Sequence, residues 1–171
     1  MLVYSLYNRH LYAKKLNVDL VWIHAAATVL ESTLAHSLNS MDVPTLVVEM
    51  GVGMRITKKY CAQLVTGILN LMREMGIWDG DIYGEVHEPI ISQDKKVGFL
   101  NAEASGIFVP AVDHGAVVEA GEHIGDIISP LTGEALKHVE ACMAGKVFTI
   151  REYPVVYEGS LLARILGGVG A

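Results

Sequence analysis

Glu49 is the residue whose type and setting point most directly to chemistry. It follows the apolar run Thr45–Val48 and precedes Gly51 and Gly53, which allow a ligand or another segment to approach the backbone closely. In an open α/β sheet, ligands bind just outside the carboxyl ends of the strands. A carboxylate there can act as a general acid or base, particularly beside a metal that activates water. The competing reading is an ordinary polar residue leaving the core, paired with Arg55. Arg55 lies on the loop before the next helix, and its guanidinium can hold a carboxylate substrate by a two-pronged hydrogen bond. An exposed, solvated arginine fits the same spacing. The seven histidines show no H-x-x-E, H-x-H or H-E-x-x-H spacing, and the pair His114 and His123 falls in a strand-rich region. His24, at the end of an apolar run, is placed like a site residue, although a lone strand-end histidine is more often a hydrogen-bonded structural group. No metal ligand is assigned, and the chain alone is expected to hold no stoichiometric zinc. A G-x-S-x-G elbow, a P-loop and a dinucleotide fingerprint are all absent, and Gly121–Gly125 reads as a turn.

The elements that must carry these residues fall into two halves. Val18–Ile23 reads as a buried strand. Thr28 then starts a helix, with Glu31 completing a capping box and Leu30, Leu34, Leu38 and Met41 marking its buried face. Pro44 opens the second strand, Thr45–Val48. Thr57 caps a longer helix with a stripe of Cys61, Leu64, Val65, Ile68, Met72 and Met75, and Gly76 is its stop. This β-α-β-α order implies a partial parallel sheet with covering helices over residues 1–80. Two strands are too few for a free-standing parallel sheet, so further residues or another chain are expected to complete it. Residues 81–171 read as all-β, with strands at Val86–Ser92, Val97–Ala102 and Gly106–Val112. An internal echo pairs Val118, Gly121 and Ile124 with Val156, Gly159 and Leu162, and Gly106 with Gly145, which suggests two similar hairpin units folding against each other.

Composition excludes several classes. Of 171 residues, 51% are apolar and 19% charged, which describes a folded globular protein. The net charge is -6 with no basic run, which argues against nucleic acid as a partner. No uninterrupted apolar stretch suits a bilayer, and no signal-peptide pattern opens the chain. Cys61 and Cys142 read as small buried residues in a reducing compartment, so a cytoplasmic location is expected.

Leu30–Ala35 followed by Val43–Gly51 resembles the late catalytic-domain segment of the succinylglutamate desuccinylase/aspartoacylase family, zinc deacylases similar in fold to zinc carboxypeptidases. Ser105–Pro110, Gly121–Gly125 and Pro130–Glu134 are similar to that family's C-terminal β domain, which resembles the barrel-sandwich of biotinyl and lipoyl modules. The resemblance implies that Glu49 is the catalytic acid/base and that the substrate is an N-acyl amino acid or related amide. It also implies a zinc ion in the complete enzyme. The family's H-x-x-E pair and D-x-H histidine normally precede this segment and are not found here. The chain therefore reads as the C-terminal part of a truncated or split deacylase that depends on a missing N-terminal segment or partner chain, with a homo-oligomer left open. The alternative function is a non-catalytic binding or scaffold module built on the β half. Its nearest carrier-type lysine, Lys146, follows Gly145 but lacks flanking methionines, and no covalent cofactor is expected on it.

Overall fold

Leu20–Ile23 are four consecutive apolar residues, and in the computed structural model they form a strand with all four side chains buried. The structure describes residues 1–5, 10–23, 33–93 and 96–168. His24, Thr28, Leu30 and Glu31 lie outside the described residues. The chain divides into two units, Met1–Asp94 and Lys95–Ala171.

The first unit contains β1 (Leu2–Ser5), α1 (His10–Ala13), β2 (Leu20–Ile23), α2 (Leu34–Ser40), β3 (Val47–Glu49), α3 (Lys58–Glu74) and β4 (Ile90–Gln93). Its sheet has the order β3-β1-β2-β4. β1, β2 and β4 are parallel, whereas β3 runs antiparallel to β1 with Glu49 opposite Leu2. The two strands legible in the sequence are therefore not a parallel pair, because β1 separates them and β3 is reversed. β1 and β4 bring the described sheet to four strands. The first unit extends through Ile90–Gln93, which pairs with β2.

Helix α3 packs with a different face from the one its apolar stripe suggests. Val65, Ile68 and Met75 are exposed, while Thr66, Gly67 and Asn70 are buried. The cause is the segment Lys15–Val18, which lies against α3 with carbonyls that need partners. Asn70 Nδ2 donates to Lys15 O at 2.8 Å and Gln63 Nε2 donates to Asn17 O at 2.8 Å. Gly67 meets the Leu16 carbonyl so closely that a Cβ there would collide with it. Burying unpaired carbonyls would cost more than exposing a few methyl groups, so polar and small residues take the inner face. Tyr60, Leu64 and Leu71 still reach the core of Ala13, Leu16, Val18, Val21 and Ile23. The helix ends in a Schellman motif: Gly76 has φ +70°, its N–H donates to Arg73 O, and Ile77 N–H donates to Met72 O. Thr57 is the N-cap residue, but its side chain makes no capping bond. In α2, Thr33 Oγ1 accepts from His36 N at 3.2 Å. No α2 residue is buried, and Leu34 and the C-cap residue Met41 are exposed, so the expected inner face is not realised among the described residues.

The second unit holds β5 (Val97–Asn101), β6 (Gly106–Pro110), β7 (Val117–Val118), β8 (His123–Ile128), β9 (Ala135–Glu140), β10 (Gly145–Ile150), β11 (Val155–Val156) and β12 (Leu161–Leu166). They form two four-stranded antiparallel sheets, β5-β12-β10-β7 and β9-β8-β6-β11. The orders correspond strand for strand, with β6-β7-β8 equivalent to β10-β11-β12. Each repeat lends its two-residue strand to the other's sheet: β7 pairs with β10 and β11 with β6. The internal echo in the sequence is this exchange. Gly121 and Gly159 turn with φ +82° and +84°, and their N–H groups donate to Ala141 O and Ala102 O, both at 2.8 Å. Val118, Val156, Ile124 and Leu162 enter one core with Phe108, Ile127, Val147 and Ile165. Each such side chain contributes about 1.5–3 kcal/mol by leaving water, which gives this unit a core of its own.

Both cysteines are free thiols, one in each unit. Neither is buried: Cys61 lies on the half-exposed side of α3 and Cys142 is exposed, contrary to the reading of both as interior residues. No described helix is long and apolar enough to cross a membrane.

Candidate functional site

Glu49 closes β3, and the chain then turns through Gly51 (φ +64°) and Met54 (φ +65°) to reach α3. A Cβ on Gly51 would stand 3.3 Å from Thr57 Oγ1, so glycine is favoured there by space as well as by φ. Arg55 N–H donates to Val52 O at 3.3 Å. Glu49 and Arg55 both lie exposed along this one connection, with the fully exposed Met54 between them. The sheet modifies the argument for Glu49. It stands at the carboxyl end of its own strand, but β3 is antiparallel, so this end lies beside the amino ends of β1 and β2. The crevice rule for carboxyl ends of parallel strands therefore lends Glu49 no support.

A second constellation lies in the other unit. His123 Nε2 is 3.0 Å from Asp126 Oδ1, and His138 Nδ1 is 2.6 Å from the same oxygen. The two rings meet edge to face with centroids 6.1 Å apart. Hydrogen bonds from His138 and then His123 hold the Asp126 carboxyl below the usual range for an aspartate. Asp126 and His138 are direct register partners on β8 and β9. His123 and Asp126 are three apart on one strand, which would place them on opposite faces of a regular strand. A bulge between His123 and Gly125 changes the alternation, so that Ile124 and Gly125 are both buried and His123 returns to the face of Asp126. Gly125 is suited to this kink, since a Cβ there would lie 2.5 Å from Val109 O. Sequence spacing missed the cluster because period-two alternation hides it. The signal that could have revealed it is the glycine inside His123–Asp126.

Among the described residues, His123, Asp126 and His138 are the one group of three or more such side chains whose ligand atoms lie close enough for a single ion, within 4.8 Å of one another. No such described group includes Glu49. The described residues therefore do not fit a catalytic zinc next to Glu49, and no reaction step is derived through one. Lys146 is the second residue of β10, opposite Leu166 and Val117, and thus sits inside a sheet instead of at a hairpin tip.

No protein-family model matches the chain, and no curated protein matches it in sequence. Solved structures do match. The ectoine utilization protein EutE from Ruegeria pomeroyi, in its product-bound form, aligns with TM-score 0.80 at 18% identity over 96% of this chain and 52% of that one. A succinylglutamate desuccinylase from a Silicibacter species aligns with TM-score 0.81 at 17% identity, covering 96% and 53%. The fold is that of the C-terminal portion of succinylglutamate desuccinylase/aspartoacylase proteins. A third such protein, succinylglutamate desuccinylase/aspartoacylase from Rhodobacter sphaeroides, aligns with TM-score 0.78 at 17% identity over 99% of this chain and 54% of that chain. The chain spans about half the length of these desuccinylase/aspartoacylase structures. At such identities the fold is what is shared.

Proposed function

We propose that this chain is the C-terminal portion of a deacylase that hydrolyses N-acyl amino acids or related amides. The supporting observation is the fold likeness, which runs over nearly the whole of this chain and about half of each desuccinylase/aspartoacylase structure. In this reading Glu49 takes a proton from the attacking water and delivers it to the departing amine, so that amide and water become a carboxylic acid and an amine. Arg55, on the same connection, receives the substrate's carboxylate. The zinc that the family resemblance implies would supply a Lewis acid in the complete enzyme, held by residues other than the described ones beside Glu49, where no group fits it. The second unit, with its two sheets and exchanged short strands, is read as a barrel-sandwich module. The two free thiols suit a cytoplasmic setting.

The scaffold alternative draws on the second unit's separate core, but the placement of Lys146 within a sheet disfavours a lysine-linked carrier. The test is hydrolysis by the assembly that contains this chain and its complementing segment, followed by mass spectrometry over a panel of N-acetyl, N-succinyl and other N-acyl amino acids. Release of free amine from at least one class is expected. An assembly that holds zinc yet cleaves none of them would overturn the reading.

A further inference from the structure

We propose that His123, Asp126 and His138, all in the second unit, form a surface site for a divalent transition-metal ion of the zinc type. The donor set is two imidazoles and one carboxylate, the borderline nitrogen and oxygen ligands that zinc accepts; magnesium and calcium prefer oxygen alone. All three ligand atoms lie within 4.8 Å of one another and stand on two adjacent, hydrogen-bonded strands. Zinc binds such atoms at about 2.0–2.2 Å, which sets neighbouring donors roughly 3.3–3.5 Å apart in a tetrahedron. The observed separations from Asp126 Oδ1 are 3.0 and 2.6 Å, so small side-chain rotations open the space. The ion would take the place of the protons now shared between the imidazoles and the carboxylate. Asp126 is already biased toward its ionised, ligating form. Glu140, the register partner of His123, adds a further acidic residue on β9. His138 is 72% exposed on its side chain, which gives the ion a direct path from water and leaves coordination positions for water molecules. The bulge matters most here: without it, His123 would face the core and only a two-ligand pair would remain.

The experiment uses the untagged, chelator-treated full chain titrated with zinc chloride by calorimetry, with stoichiometry from elemental analysis after equilibrium dialysis. Saturable binding of one zinc per chain is expected near neutral pH. His123→Ala and His138→Ala should each weaken it by at least about tenfold, since even outer-shell partners are worth that much. Binding should decline in acid, because protons compete with the ion for the ligand atoms. Histidine side-chain NMR should show the signals of both rings shifting together, and circular dichroism checks that the exposed-residue variants stay folded. Absence of saturable binding, or equal binding by a folded His123→Ala/His138→Ala variant, would overturn the proposal.

Discussion

Asp126 accepts hydrogen bonds from two imidazoles, and that arrangement fixes the sign of its pH dependence. A carboxyl whose folded-state pKa is depressed adds stability that is present above its unfolded value, about 3.9, and is lost as pH falls through the lowered folded value. Asp126→Asn should therefore lower the melting temperature at pH 5, with the difference from the parent closing under strongly acidic conditions. Scanning calorimetry across that range measures it, and a difference independent of pH would contradict the assignment. Arg55 leads to another residue-scale expectation: Arg55→Ala in the complete assembly should chiefly raise KM if the guanidinium anchors the substrate, with kcat little changed. At this scale the sequence was informative where local order decides and silent where pairing decides. Glu49 was correctly placed at a strand end from its apolar run and glycines. The direction of that strand, and the bulge that assembles His123 with Asp126, depend on partners distant in sequence.

Elements follow the same division. The length and stop of α3 were legible, because Gly76 has no Cβ to oppose the left-handed turn of a Schellman motif. Its inner face was not, since an apolar stripe marks the packed side only when the neighbour offers no unpaired carbonyls. Here the Lys15–Val18 segment does, and Asn70, Gln63 and Gly67 meet it. Gly67→Ala should then destabilise the first unit by about 2–3 kcal/mol, because backbone must move to admit one methyl group. Val65→Ala, on the exposed side of the same helix, should change stability by less than about 0.5 kcal/mol. Urea denaturation of both variants decides the matter, and a Gly67→Ala protein as stable as the parent would show that the packed face is wrongly identified.

Two units with separate cores make the whole molecule modular. Residues 95–171, expressed alone, should give a β-type circular dichroism spectrum and one cooperative unfolding transition, because the core from Leu100 to Ile165 is drawn entirely from that unit. The repeat visible in the sequence as matched glycines was sufficient to read its internal symmetry, whereas the reach of the first unit to β4 was not, since Ile90–Gln93 looks like any other short strand. The central claim concerns the assembly as a whole, namely that this chain supplies the proton-transferring group of a deacylase. It is tested most directly by steady-state kinetics of the complete assembly carrying Glu49→Gln, with bound zinc and melting temperature as controls. The account predicts a folded, zinc-loaded protein whose kcat falls by roughly a hundredfold or more; a Glu49→Gln assembly with near-normal kcat would contradict it.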